Sequence, residues 1–342
     1  MTVLISLSIA AMFAQSSPAA SQAPSPAPPT SQAAQPEPGA DALQVQVMLD
    51  RAGFSPGAID GKMGANTKKA LDLFTASGAQ QPAGVLPTTG YRITAADAAG
   101  PFIDQLPTDM MESAKLPTLG YTSVIETIAE RFHTTPAFLR QLNPGATFAA
   151  GQEIKVPNVE PMTLPTETMA VLEPKQPKPT SQRGRSTTPS QPTGTSGTQP
   201  EQVEKPNYVV TVAKSTSALT VTDTTGRVVF YAPVTTGSVH DPLPIGEWKV
   251  TSIWFNPKFS YNPDLFWDAE PSHTKATLQP GPNNPVGVVW IDLSKEHYGL
   301  HGTPEPSTIG RTQSHGCVRL TNWDALRVAA LAKPGTPVIF KE

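Results

Sequence analysis

Tyr298 to Leu320 reads YGLHGTPEPSTIGRTQSHGCVRL. The run ends its apolar opening at His301-Gly302 and closes on Ser314-His315-Gly316-Cys317, followed by Val318-Arg319-Leu320. Cys317 is the only cysteine in 342 residues, so no internal disulfide accounts for it. A thiol attacks only as thiolate, and a nearby imidazole both takes its proton and, once charged, stabilises the anion. His301 is the candidate base. Gly316, directly before the thiol, has no side chain to block a reacting carbonyl from the backbone N–H groups of an oxyanion hole. Two other uses of these residues fit less well. A structural cysteine belongs in an apolar run, whereas Cys317 is flanked by glycine and polar groups. A zinc site of His301, His315 and Cys317 has suitable ligand types, but His315 and Cys317 are too close together for the two-pair spacing of structural zinc. No metal and no cofactor are expected.

These residues resemble the active-site signature of the L,D-transpeptidase catalytic domain family, in which a His-Gly element precedes Ser-His-Gly-Cys, then an apolar residue and Arg or Asn. Pro242 to Gly246 (PLPIG) and Gly281 to Gly287 (GPNNPVG) look like that family's other recurrent loops, so the resemblance covers roughly residues 207–342. It implies that Cys317 attacks the carbonyl between a diamino acid and D-Ala of a peptidoglycan tetrapeptide stem, with His301 as base. Ser314, His315, Gly316 and Gly302 then shape the site or its oxyanion hole, and Arg319 and Thr303 contact substrate; Arg319 can equally brace the loop. Some members have Ser after the histidine where this chain has Gly302, so a backbone carbonyl is expected to orient the imidazole. The same acyl-enzyme could pass to an amine of a second stem, to water as in an L,D-carboxypeptidase or endopeptidase, or to a protein lysine. A reading of another class is a non-catalytic wall-binding protein.

The 38 prolines mark much of the chain as linker, and a net charge of −3 gives no basic surface for nucleic acid. Val3 to Phe13 (VLISLSIAAMF) has the pattern of a signal-peptide core and is too short to span a bilayer. The expectation is export to the periplasm or cell wall, with no stable membrane span after cleavage of residues 1–21. Residues 22–40 and 160–206 are Pro/Ser-rich and read as linkers, since they lack the apolar surface to offset the entropy of ordering.

Between the linkers, residues 41–90 predict a small all-α domain. Leu43, Val47 and Leu49 mark one helix, and Thr67, Ala70, Leu71 and Phe74 a second at i, i+3, i+4 and i+7. Ile59-Asp60-Gly61 with Gly64 and Thr67 resembles the three-helix peptidoglycan-binding domain family, which implies wall binding through Asp60, Gly61 and Thr67; the same residues can simply fix the turn. Residues 117–159 resemble a small α+β LysM domain, a glycan-binding module, with its opening strand reduced to Gly120 to Ser123. Residues 207–342 predict a mainly β catalytic domain, an antiparallel sandwich of β-branched and aromatic runs. One helix, capped by Thr321 with Asp324 at N3, follows Cys317. Peptidoglycan stem peptides and glycan are the expected partners.

Overall fold

The computed structural model describes residues 42–165, 167–172 and 208–342, all of which fall in one compact unit. The expected signal peptide, the linker over 22–40 and most of the second linker lie outside the described residues. The N-terminal half contains α1 (Ala42–Arg51), α2 (Ala65–Ser77), β1 (Thr88–Arg92), α3 (Ala95–Ala99), α4 (Met110–Ser113), α5 (Val124–Arg131), α6 (Pro136–Leu142) and β2 (Glu153–Pro157). The C-terminal half contains β3 (Met169–Leu172), β4 (Tyr208–Ala213), β5 (Ala218–Asp223), β6 (Val228–Pro233), β7 (Gly246–Phe255), β8 (Phe259–Tyr261), β9 (Ala276–Leu278), β10 (Val289–Leu293), β11 (Gly299–His301), β12 (Val318–Arg319), α7 (Asn322–Leu331) and β13 (Pro337–Lys341).

The long strand β7 organises the C-terminal half. Its first residues pair with β13, and its last pair with β10 on one edge and β3 on the other, giving the order β12-β11-β10-β7-β13-β4-β5-β6. Alternation sends Val210, Leu219 and Phe230 from one end, and Ile291, Leu300 and Val318 from the other, into a single core. Ala325, Val328 and Ala329 of α7 close that core. Thr321 caps the helix as expected, its hydroxyl accepting the Asp324 N–H. The expected antiparallel sandwich is in fact mixed. Strands β13 and β4 are parallel, and so are β11 and β12, the latter pair joined by the long crossover loop that ends at Cys317.

Three expectations for the N-terminal half are corrected. Over the expected all-α domain of residues 41–90 the described residues form two helices, α1 and α2, not three, and β1 begins at Thr88. Gly120 to Ser123, read as the reduced opening strand of the second unit, form no strand, and β2 pairs antiparallel instead with Thr88–Arg92, across a long excursion and outside the expected bounds of 117–159. The second linker is ordered at its start: Met162 is buried, and Met169–Leu172 pairs with β7.

Nor are the N-terminal segments held apart from the sheet. Helix α1 is buried on both sides, as expected of a helix with few exposed positions. Leu43 and Val47 pack with Ile125, Ile128 and Val156, while Met48 and Leu49 pack with Phe54, Phe74 and Tyr231 of β6. Backbone bonds from Ser55 N to Tyr231 O (2.8 Å) and Tyr231 N to Gly53 O (2.9 Å) extend the edge of β6. An edge strand is thereby covered.

Candidate active site

The register of three neighbouring strands assembles the site. Trp290, His301 and Arg319 sit side by side on β10, β11 and β12, and two residues earlier along β11 Gly299 faces Asp292 of β10. Leu300 pairs with Val318, so Cys317 comes opposite Gly299. Side chains two apart share a face, which brings Cys317, Arg319 and His301 to the same side of the sheet. The intervening Leu300 and Val318 point into the core and fix that face.

His301 is 4% exposed and stacks on Trp290, with ring centroids 5.4 Å apart. Its Nδ1 lies 2.7 Å from Gly302 O. A carbonyl only accepts, so Nδ1 carries the proton and Nε2 is left bare. Burial, with the nearby Arg319 charge second, pushes the imidazole down to about 3. Burial also raises the Cys317 thiol, against the lowering effects of the Gly299 backbone N–H and of Arg319. The resting pair is thus a neutral thiol and a neutral imidazole, rather than the ion pair that the residue types alone would allow. The thiol Sγ is 3.6 Å from His297 O.

Ser314 Oγ donates to Cys317 O at 2.5 Å, and Ser314 N donates to Thr236 O at 3.0 Å, so this residue ties the cysteine loop to the end of β6. Gly316 has φ of 100°, and a Cβ there would press on the Tyr298 ring at 2.7 Å. Only glycine suits both demands. His315 is held from above by the excursion between β8 and β9: its Nε2 is 2.7 Å from Asp268 Oδ1, and its ring lies 4.9 Å from that of Phe266. Trp267, 60% exposed, stacks on His240 at 4.4 Å on the same rim.

Other expected site residues lie elsewhere. Thr303 is buried and its hydroxyl accepts the Glu305 N–H, so it shapes the turn after His301. Asp60, Gly61 and Thr67 converge on the buried Gln46. Its amide donates to Asp60 Oδ1 (2.9 Å) and Thr67 Oγ1 (3.1 Å), and its oxygen accepts the Gly61 N–H (2.8 Å). Those bonds fix the turn. His133, whose motif-free setting reads as surface, is buried, with Nδ1 3.0 Å from Asp50 Oδ2. Trp290, Asp268 and Asn322 carry no motif signal in the sequence; pairing of β10 with the His-Gly strand is what brings Trp290 in. Among the described residues no group of His, Cys, Asp and Glu could hold a metal ion, and no helix is long and apolar enough to cross a membrane.

Residues 207–340 match the sequence profile of YkuD, the L,D-transpeptidase catalytic domain. That segment is an L,D-transpeptidase catalytic domain. The chain is 27% identical over 218 residues to YkuD of Bacillus licheniformis, a candidate L,D-transpeptidase, covering 63% of this chain and 91% of that protein. YkuD of Bacillus subtilis strain 168 is 25% identical over 217 residues, with the same coverage of 63% and 91%. Among solved structures it is similar to an L,D-transpeptidase from Mycobacterium smegmatis, at 18% identity and a TM-score of 0.33, covering 40% of this chain and 59% of that one. L,D-transpeptidase 3 from Mycobacterium tuberculosis gives 20% identity and a TM-score of 0.34, covering 40% and 61%. The chain thus spans about three fifths of those solved chains.

Proposed function

We propose that this protein is an exported cysteine L,D-transpeptidase whose nucleophile is Cys317 and whose base is His301. The observation that carries the reading is the register of β11 against β12, which places Cys317, His301 and Arg319 on one side of the sheet. Cys317 Sγ attacks the carbonyl between the third residue of a tetrapeptide stem and its terminal D-Ala, and the thiol proton passes to the bare Nε2 of His301. Backbone N–H groups of Gly316 and Cys317 receive the oxyanion. The carbon–nitrogen bond breaks, D-Ala leaves with the proton from His301, and a thioester remains. An amine of a second stem attacks the thioester, gives its proton to His301 and expels the Cys317 thiolate, which is reprotonated. Neutral partners suit this sequence, because the imidazole begins each half-reaction as a base.

Arg319 faces both reacting groups, and burial lowers its own pKa while Cys317, Glu305 and Asp268 raise it. Its charge stabilises the thiolate, and this is the role we give it in place of a carboxylate clamp. Thr303 is assigned to the turn after His301, and Asp60, Gly61 and Thr67 to the fold of the α1–α2 segment.

Mass spectrometry of muropeptides after incubation with the purified protein tests the reading. A new crosslink through the diamino acid, with release of D-Ala, is the expected product. Tripeptides without crosslinks would replace the transpeptidase with a carboxypeptidase, and an unchanged profile would leave a wall-binding protein.

A further inference from the structure

Asn322 opens α7 a few residues beyond Cys317, is fully buried, and points back toward the base. Its Oδ1 accepts the Val288 N–H at 3.2 Å and sits between Gly287 and Gly302, where a Cβ on either glycine would collide with it. Gly302 is the residue whose carbonyl holds His301 Nδ1. Asn322 Nδ2 in turn donates to Pro282 O at 3.2 Å and, more closely, to Glu130 Oε1 at 2.7 Å. Glu130 belongs to α5 in the N-terminal half, and its other oxygen accepts Tyr121 Oη at 2.5 Å. The loop that carries Gly287 is clamped from the same side, since Asn283 Nδ2 donates to Gly120 O (2.8 Å) and Glu126 Oε1 (2.9 Å).

We infer that Glu130 is a positioning residue for the acyl-transfer reaction: through Asn322 it sets the Gly302 carbonyl and so holds His301 as the Nδ1–H tautomer with Nε2 free. Buried amides have few alternative partners, so removing one acceptor leaves Asn322 free to turn and the two glycine backbones free to shift. Burial raises the Glu130 carboxyl to about 7, and either protonation form still presents an acceptor to Asn322. Displacement of a catalytic group by about 1 Å from a distant change costs as much as roughly 100-fold. This inference rests on His301 being the base.

The test uses the protein with both halves present. In 15N-histidine NMR at neutral pH, the wild type should show His301 as the Nδ1–H tautomer. Glu130→Met should give a mixture of tautomers and a kcat for D-Ala release lower by about 10- to 100-fold with KM little changed. Glu130→Gln, which keeps an acceptor, should restore both readouts. Tyr121→Phe loosens the same cluster without touching Asn322, and should leave both at wild-type values. Unchanged tautomer and kcat in Glu130→Met, or equal losses in Tyr121→Phe, would overturn the inference. Should Glu130→Met not fold, Asn322→Asp faces Glu130 with a second acceptor and should lose activity. Adding Glu130→Gln should recover most of it, and a double variant no better than Asn322→Asp overturns the proposal. A wild type that releases no D-Ala but shows the tautomer would count against the transpeptidase reading alone.

Discussion

Arg327, on the helix that follows Cys317, donates from both guanidinium nitrogens to Asp50 at the end of α1, at 2.7 and 3.1 Å. The Asp50 side chain is fully buried; desolvation raises its pKa, but His133 and Arg327 outweigh that and hold it well below the usual carboxylate range. Removing Arg327 leaves the buried carboxylate with His133 as its remaining partner. Arg327→Met should therefore destabilise the protein by about 3–5 kcal/mol, and Asp50→Asn in the same chain should recover part of the loss. Urea unfolding measures both; a cost below about 1 kcal/mol would mean that the pair does not anchor α1 to α7.

Cys317→Ser should fold normally and lose transpeptidation by several orders of magnitude, because a hydroxyl is a far weaker nucleophile beside a lone imidazole. The family resemblance further implies acylation by a carbapenem. Intact mass should show one adduct on the wild type and none on Cys317→Ala. An adduct that survives the alanine change would point to another nucleophile.

The two site histidines should separate. His301→Ala removes the base and should cost about 10²- to 10⁴-fold. His315 is tied to Asp268 on the rim, and Lys at that position can keep the contact, so His315→Lys should retain measurable turnover. Equal and complete loss in both would erase the distinction between base and rim.

Cys317 and His301 were legible because their neighbours in sequence are also their neighbours in space: a strand end, a glycine and a loop before a capped helix. The segments around them were legible only as kinds of element. Nothing periodic in Ala42–Arg51 announces that Asp50 will meet Arg327, and Glu130 looks like any polar residue of an amphipathic helix until Asn322 is set against it. Strand β1 was missed for a related reason. Its partner β2 lies beyond two helices and the excursion through α3 and α4, and TTGYR has no apolar alternation of its own. Pro/Ser-rich composition likewise concealed β3, whose order comes from the exposed edge of β7.

The pH dependence of the thiol follows from the burial of both groups. With His301 lowered to about 3, the imidazole is neutral from pH 5 upward, and burial raises the Cys317 thiol, so the thiolate is the minor form at neutral pH. Iodoacetamide alkylation of the free protein should accordingly rise about tenfold per pH unit between pH 6 and 8. A thiolate–imidazolium pair would instead give a plateau beginning near pH 5, and its observation would reject the neutral resting state.

Residues 207–342 should not behave as an independent enzyme on a tether. In the full chain Ser55 Oγ donates to Asp324 Oδ2 at 2.8 Å, Asn66 Nδ2 donates to Ile309 O at 2.9 Å, and α1 and α2 cover the Tyr231 ring. Cutting these away exposes the β6 edge and takes Glu130 from Asn322. A loss of about 3–5 kcal/mol corresponds to a melting temperature lower by roughly 10–20 °C for a domain of this size. The isolated segment should also release D-Ala from small soluble muropeptides with a lower kcat than residues 41–342, because the support behind Gly302 is gone. Calorimetry and single-substrate turnover of the two proteins decide the matter. If the shorter one melts and turns over like the longer, the N-terminal half is a separable wall-binding module; if sacculi sediment the longer protein alone, binding and support reside in the same segment.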